Sequence, residues 1–468
     1  MAVAAVEVPA VEVPAGGRGP AAAYSVRVAR ILLLCWRDST HPQGGGSERY
    51  LEHVADGLAA AGHTVVFRTS RSPGAARSET SRSGVRFSRA GGRFTVYPRA
   101  LVAMLLGRFG LGPLGILRRP DVVVDTQNGV PFFSRLATRA PVVLLVHHIH
   151  REQWPVAGWL VARIGWWIES WLAPRVHARS QYVTVSLPSA EELAALGVDP
   201  ARIAVVRNGL DPLPEGFTRD DSGASPTTAG PGGDPTVDPA PRLVVLSRLV
   251  PHKHVEDAID VVAALRERHP GLMLDVIGSG WWAENLHDYA AERGLLAHTP
   301  PSPGGAPAVD AGPPGGAPAV DAGPPGGSAG GSAGAVVFHG HVDELTKHRL
   351  LAGAAVHLMP SRKEGWGLAV SEAAQHGVPT VGYHHAAGLR DSIDDDETGL
   401  LTGDVAAMTV ATDQLLADPG LRSRMGEAAR RKAAGMSWPG TASAMEQVLT
   451  AVSEGRRVSG VISGSQRG

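Results

Sequence analysis

Two glutamates, Glu364 and Glu372, are the side chains of this 468-residue chain best placed to do chemistry. They lie in LMPSRKEGWGLAVSEAAQHGVPTVGY, residues 358–383, which reads as a buried strand end, a loop, a helix and a second apolar strand. Gly365 and Gly367 let the loop turn tightly and a ligand reach the backbone. A helix starting near Leu368 would point its free N–H groups at that ligand, which suits a phosphate. One carboxylate is then on the approach loop, and the second is expected two turns into the helix. A glycosidase pair would need the carboxylates ~5–9.5 Å apart across one bond. Eight helical residues rise ~12 Å. Two separate binding roles fit better, for a ligand with a diphosphate and several hydroxyls.

Cations follow a strand in LSRLVPHKHVEDAI, residues 246–259, as Arg248 and Lys253. Positioned cations stabilise the charge that grows on a departing nucleoside diphosphate. Histidines follow another strand in LLVHHIHREQW, at 147, 148 and 150. Alternate side chains diverge on extended backbone, and no carboxylate pair completes a metal site. A histidine bonded to a substrate hydroxyl is the better reading. HPQGGGSER, residues 41–49, sets Gly45 and Gly46 between a strand and a helix, where backbone approaches an anion. DVIGSG supplies Gly278 after a further strand, and FHGHVDE (338–344) repeats that layout. Asp394 and Asp396 spell D-x-D, but in a loop ahead of a short strand, where no metal is expected.

EGWGLAVSE resembles the E-x7-E motif of glycosyltransferase family 4, retaining nucleotide-sugar transferases of the GT-B fold. The resemblance extends over about residues 26–450, apart from two insertions. It implies that Glu372 holds the ribose hydroxyls, while Gly367, the Leu368 amide region, Arg248 and Lys253 hold the diphosphate. It implies that Glu364 holds the donor sugar and that His147, with His148 as the alternative, approaches from the other domain. Gly45 and Gly46 would face diphosphate and acceptor, and Gly278 the base or ribose. The implied reaction moves a hexose from a UDP- or GDP-linked sugar to an acceptor, with a lipid-linked sugar or a polysaccharide as the candidates. No metal or other cofactor is called for. The alternatives are a GT-B sugar-nucleotide epimerase or hydrolase, and a non-catalytic sugar-nucleotide-binding protein.

The elements that must position these groups are those of an α/β chain. Short runs of Val, Leu and Ile alternate with helical spacing, as in parallel sheets covered on both faces. Two such Rossmann-like units in tandem place a cleft at the carboxyl ends of their strands. The expected layout is a disordered tail (1–25), an acceptor-side domain (26–210), a linker (211–241) and a nucleotide-sugar domain (242–435). A helix crossing back (436–455) and a tail (456–468) complete it. The repeat PGGAPAVDAGP, at 303–313 and 314–324, marks 298–334 as a disordered insertion. At 43% hydrophobic, the chain can bury two cores. A formal charge of −1 argues against nucleic acid as partner. A single cysteine, Cys35, suits a reducing cytoplasm or the inner face of its membrane. Five tryptophans fall in WPVAGWLVARIGWWIESW (154–171). That helix is expected to be buried or to line the acceptor groove, with peripheral membrane contact as its other reading.

Overall fold

The computed structural model describes residues 28–41, 44–151, 154, 158–218, 240–297 and 334–464. The expected tail at 1–25, most of the expected linker and nearly all of the expected repeat insertion lie outside the described residues.

The first sheet contains β1 (Arg30–Leu34), β2 (Thr64–Thr69), β3 (Ser78–Thr80), β4 (Arg86–Arg89), β5 (Val122–Thr126), β6 (Val142–Leu145), β7 (Gln181–Thr184) and β8 (Ile203–Val205). The second contains β9 (Arg242–Leu246), β10 (Met273–Ile277), β11 (Val336–Gly340), β12 (Val356–Met359), β13 (Thr380–Tyr383) and β14 (Gly399–Thr402). A last strand, β15 (Gly460–Val461), returns to the first sheet beside β8. The orders are β15-β8-β7-β6-β5-β1-β2-β4-β3 and β11-β10-β9-β12-β13-β14. Only β3 against β4 is antiparallel. Residues 456–468, expected as a tail, thus contribute a strand.

Helices of the first half are α1 (Gly46–Ala60), α2 (Val96–Gly107), α3 (Trp159–Trp167), α4 (Ala173–Val176) and α5 (Leu187–Ala195). Those of the second half are α6 (Val255–Leu265), α7 (Ala283–Glu292), α8 (Glu344–Ala352), α9 (Leu368–Gln375), α10 (Leu389–Ser392), α11 (Val405–Ala417), α12 (Pro419–Ala434) and α13 (Trp438–Ser453).

Strand alternation divides the first core in two. Ile31, Leu33, Val143 and Leu145 face α1 and α13, with Tyr50, Leu51, Val54 and Leu58 of α1 buried against Met445 and Val448 of α13. Leu32, Leu34, Val123 and Val142 face α2 instead, and Leu144 and Val146 pack with Trp166 of α3. Helices α2 and α3 therefore cover one face of the sheet, and α1 and α13 the other. The strands β3 and β4 carry no apolar run, which is why spacing does not reveal them.

The tryptophan-rich segment departs from expectation. Helix α3 is not buried: Trp159 is 74% exposed, Ile164 50% and Trp167 48%. A π-helical turn, Ile168–Leu172, follows and turns Glu169 into the interior, where it is fully buried.

Candidate active site

The two domains meet across a cleft at the carboxyl ends of both sheets. Helix α9 begins at Leu368, with Gly367 in the left-handed region at φ +90°. Because of that start, Glu372 lies about one turn into the helix, four residues or ~6 Å, rather than two. Glu364 sits on the preceding loop, ion-paired to Lys253 with both side chains about nine-tenths buried. Glu372 accepts from Lys347 Nζ at 2.7 Å, and Lys347 also reaches Glu344 at 2.7 Å.

Arg248 extends into the cleft from the loop after β9. Its guanidinium faces Glu364, Glu48 and Arg37 while staying solvent-exposed; partial desolvation on the cleft wall and Arg37 lower its pKa, against the pull of both carboxylates. Gly278 supports this loop. It adopts φ +133°, and a Cβ there would stand 1.8 Å from the Ser247 carbonyl oxygen. Ser247 N donates to Ile277 O at 3.0 Å and Leu249 N to Ser279 O at 3.0 Å, so DVIGSG positions Arg248 through its backbone.

From the first domain, His147 follows β6 with its ring edge-on to Tyr50 at 5.1 Å. Its Nε2 is buried, with no hydrogen-bond partner among the described residues. Burial lowers this imidazole to about 4 despite the opposing carboxylate of Glu48, so it is neutral at neutral pH. The His147 carbonyl oxygen is 2.7 Å from where a Cβ on Gly365 would stand, so glycine is required where the domains touch. Gly45 caps α1 and donates its N–H to Glu48 at 2.8 Å, and Gly46 packs on Leu368 across the cleft. The structure thus brings together His147, Arg248, Lys253, Glu364, Gly45, Gly46, Gly367 and Leu368. Glu372 stands farther along α9 with Lys347, and Gly278 lies behind Arg248.

Several residues escape a reading of the sequence. Glu48 is buried and accepts from Arg37 Nε at 2.7 Å, which joins the glycine loop to the loop after β1. Its place three residues past Gly45 is the one local signal, that of a capping glutamate. Trp366, between the two glutamates, is buried in the core of the first domain while its Nε1 donates to Ser371 at 3.1 Å. Closure is tied further by the Lys363–Glu192 pair and by Asp391, which accepts from Arg207 at 2.5 Å and from the Leu187 N–H at 2.9 Å. At the hinge, Asp211 accepts from Arg49, and from Trp438 Nε1 at 2.9 Å, while its carbonyl accepts from Gln375 of α9 at 2.7 Å. Among the described residues no group of three His, Cys, Asp or Glu side chains is gathered as a metal would need.

Comparison with known proteins relates the chain to glycosyltransferases. The sequence profile "Glycosyltransferase Family 4" matches residues 44–212, and "Glycosyl transferases group 1" matches 331–432. The chain is 29% identical to a glycogen synthase of Mycobacterium tuberculosis, over 92% of this chain and 96% of that protein. It is 28% identical to a GDP-mannose-dependent phosphatidylinositol monomannoside mannosyltransferase of Mycolicibacterium smegmatis, over 85% and 92% of the two chains. Sucrose-phosphate synthase of Thermosynechococcus elongatus superposes with a TM-score of 0.68 at 18% identity, over 91% of this chain and all of the other. Two parallel-sheet domains of this kind have the GT-B fold. These matches support a glycosyltransferase of the family 4 type, and the chain is an enzyme of the transferase class.

Proposed function

We propose that this enzyme transfers a hexose from a UDP- or GDP-linked sugar to a hydroxyl acceptor, with retention of anomeric configuration and without a metal. One observation carries the reading: Glu364, paired to Lys253 and facing Arg248, stands opposite His147 where the domains touch. In this scheme Arg248, Lys253 and the amide end of α9 take up the charge of the leaving diphosphate. Glu364 and the unpartnered Nε2 of His147 hold sugar hydroxyls, and Glu372 the ribose. Closure through Trp366 excludes water while the bond breaks. The leaving phosphate takes the acceptor proton.

The acceptor side favours a lipid-linked substrate at the inner face of a membrane. Residues 93–180 carry eleven arginines and no lysine against four carboxylates, a net +7 in a chain that sums to −1. Of those carboxylates, Asp125 and Glu169 are buried and Asp121 is paired to Arg30. The same sheet face exposes Leu105, Phe109 and Leu111 from α2 and the loop after it, with Trp159, Ile164 and Trp167 from α3. Apolar and aromatic side chains among arginines suit an anionic bilayer interface. No described helix is long and apolar enough to cross a membrane. The M. smegmatis relative is named for a phosphatidylinositol-linked substrate, which accords with this choice.

The test is release of UDP or GDP from a panel of sugar nucleotides, with acceptor lipids or glucans present and EDTA throughout. Release from one donor in EDTA is expected. Release only after a divalent metal is restored would overturn the metal-free scheme, and an isomerised free sugar without acceptor would mark an epimerase.

A further inference from the structure

The HHIH segment holds a side-chain arrangement that the transfer scheme leaves unused. Glu169 is fully buried, and among the described residues the titratable side chain bonded to it is His150. Its carboxylate accepts from the His150 backbone N–H at 3.1 Å to both oxygens, from His150 Nδ1 at 3.0 Å and from Trp154 Nε1 at 2.8 Å. Because a carboxylate only accepts, that bond places a proton on His150 Nδ1 and fixes the ring. Gly165 exists to admit Trp154: a Cβ there would stand 2.3 Å from the indole. The π-helical turn then rotates Glu169 inward to meet both donors.

His150 in turn packs on His148, with ring centroids 4.3 Å apart and 33° between planes. The His148 ring lies on Gly365, its Nδ1 3.5 Å from the Cβ position, in the loop that carries Glu364. Lys253 and Lys363 face it from the second domain and His147 from its own. Burial first, and these cations with His150 and His147, push His148 well below the usual histidine range. A neutral imidazole can donate from one nitrogen and accept at the other, which a sugar hydroxyl requires.

We propose that Glu169 is a positioning residue for the donor sugar, acting through His150 to fix His148 as a sugar contact beside Glu364. His148 and His147 then share the sugar, one from each side of the strand end. The inference rests on the nucleotide-sugar reading and adds to it a residue 19 positions from His150 on another element.

Calorimetric titration with UDP and UDP-glucose, and with GDP and GDP-mannose, separates the two ideas. His148→Asn and Glu169→Gln should each weaken the sugar nucleotide by about fivefold to tenfold, the loss of one hydrogen bond, and leave the bare nucleotide unchanged. The double variant should be no weaker than the worse single one, since Glu169 acts through His148. If Glu169→Gln does not fold, His150→Gln, which keeps a donor to Glu169 but loses the ring stack, replaces it with the same expectation. Additive losses, or a sugar nucleotide unaffected by His148→Asn, overturn this inference alone. Binding of neither nucleotide pair overturns the donor-site reading and this inference with it.

Discussion

Lys347 donates from Nζ to Glu372 at 2.7 Å, so the carboxylate proposed to hold ribose is oriented by a cation. Lys253 does the same for Glu364. Each glutamate of the E-x7-E pair therefore has its own lysine, and the two lysines come from different elements, α8 and the loop before α6. Replacement of Lys347 by Met should raise the donor KM by about fivefold to tenfold with kcat nearly unchanged, since it frees a ground-state contact. Steady-state kinetics on the identified donor checks this, and a fall confined to kcat would contradict it.

In the proposed scheme Arg248 faces the leaving diphosphate. Arg248→Ala should lower kcat by ~10²–10³, the scale for loss of one charge-stabilising donor. Near-normal turnover in a variant with unchanged circular dichroism would remove Arg248 from the scheme.

Gly365 is where the domains come closest. Gly365→Ala sets a methyl 2.7 Å from the His147 carbonyl oxygen, so the cleft cannot close fully. Turnover should fall by about tenfold or more, by analogy with other small misplacements of reacting groups. The melting temperature should stay within a few degrees, because neither core is touched.

Buried histidines make the fold sensitive to acid. Burial pushes His357, on β12, down to about 3, and His147 to about 4. Unfolded histidine titrates near ~6.5. Below that pH the unfolded chain binds protons that the folded chain refuses. Stability from these groups is thus complete above ~6.5 and falls by ~1.4 kcal/mol per pH unit per group on acidification. Urea unfolding between pH 7.5 and 5 should show this slope, and His357→Asn should make it shallower.

The face formed by α2 and α3 should bind anionic vesicles. Phosphatidylglycerol-containing liposomes should sediment the wild type at low salt, and a Trp159→Ser/Trp167→Ser variant far less. Equal sedimentation with purely zwitterionic liposomes would remove the role of the arginines.

Much of this was readable in the sequence where the signal is local. The start of α9 at Leu368 follows from Gly367 and the apolar spacing after it, and most strand cores follow from runs of Val, Leu and Ile. The roles expected of Glu364, Glu372, Arg248 and Lys253 rest on a motif resemblance, and the order of strands puts Glu364, Arg248 and Lys253 at one cleft. What stayed hidden depends on contacts between distant residues. Trp366 reads as one more loop aromatic until it is seen in the other domain's core, and Asp211 as linker until Arg49, Trp438 and Gln375 converge on it. The tryptophan-rich helix misleads for a related reason. Apolar composition shows that a surface avoids water, but not whether protein covers it.

The return of α13 to the first sheet bears on how the chain is made. Trp438, Met445, Val448, Leu449 and Val452 belong to the same core as β1, and β15 completes the sheet beside β8. A ribosome delivers these residues after every strand of the second sheet. The second domain has all of its strands as soon as β14 emerges. The domain begun first therefore finishes second, and until then α1 presents Tyr50, Leu51, Val54 and Leu58 without their partners. Chains truncated before residue 438 would carry that open face permanently, a ready target for chaperones and proteases.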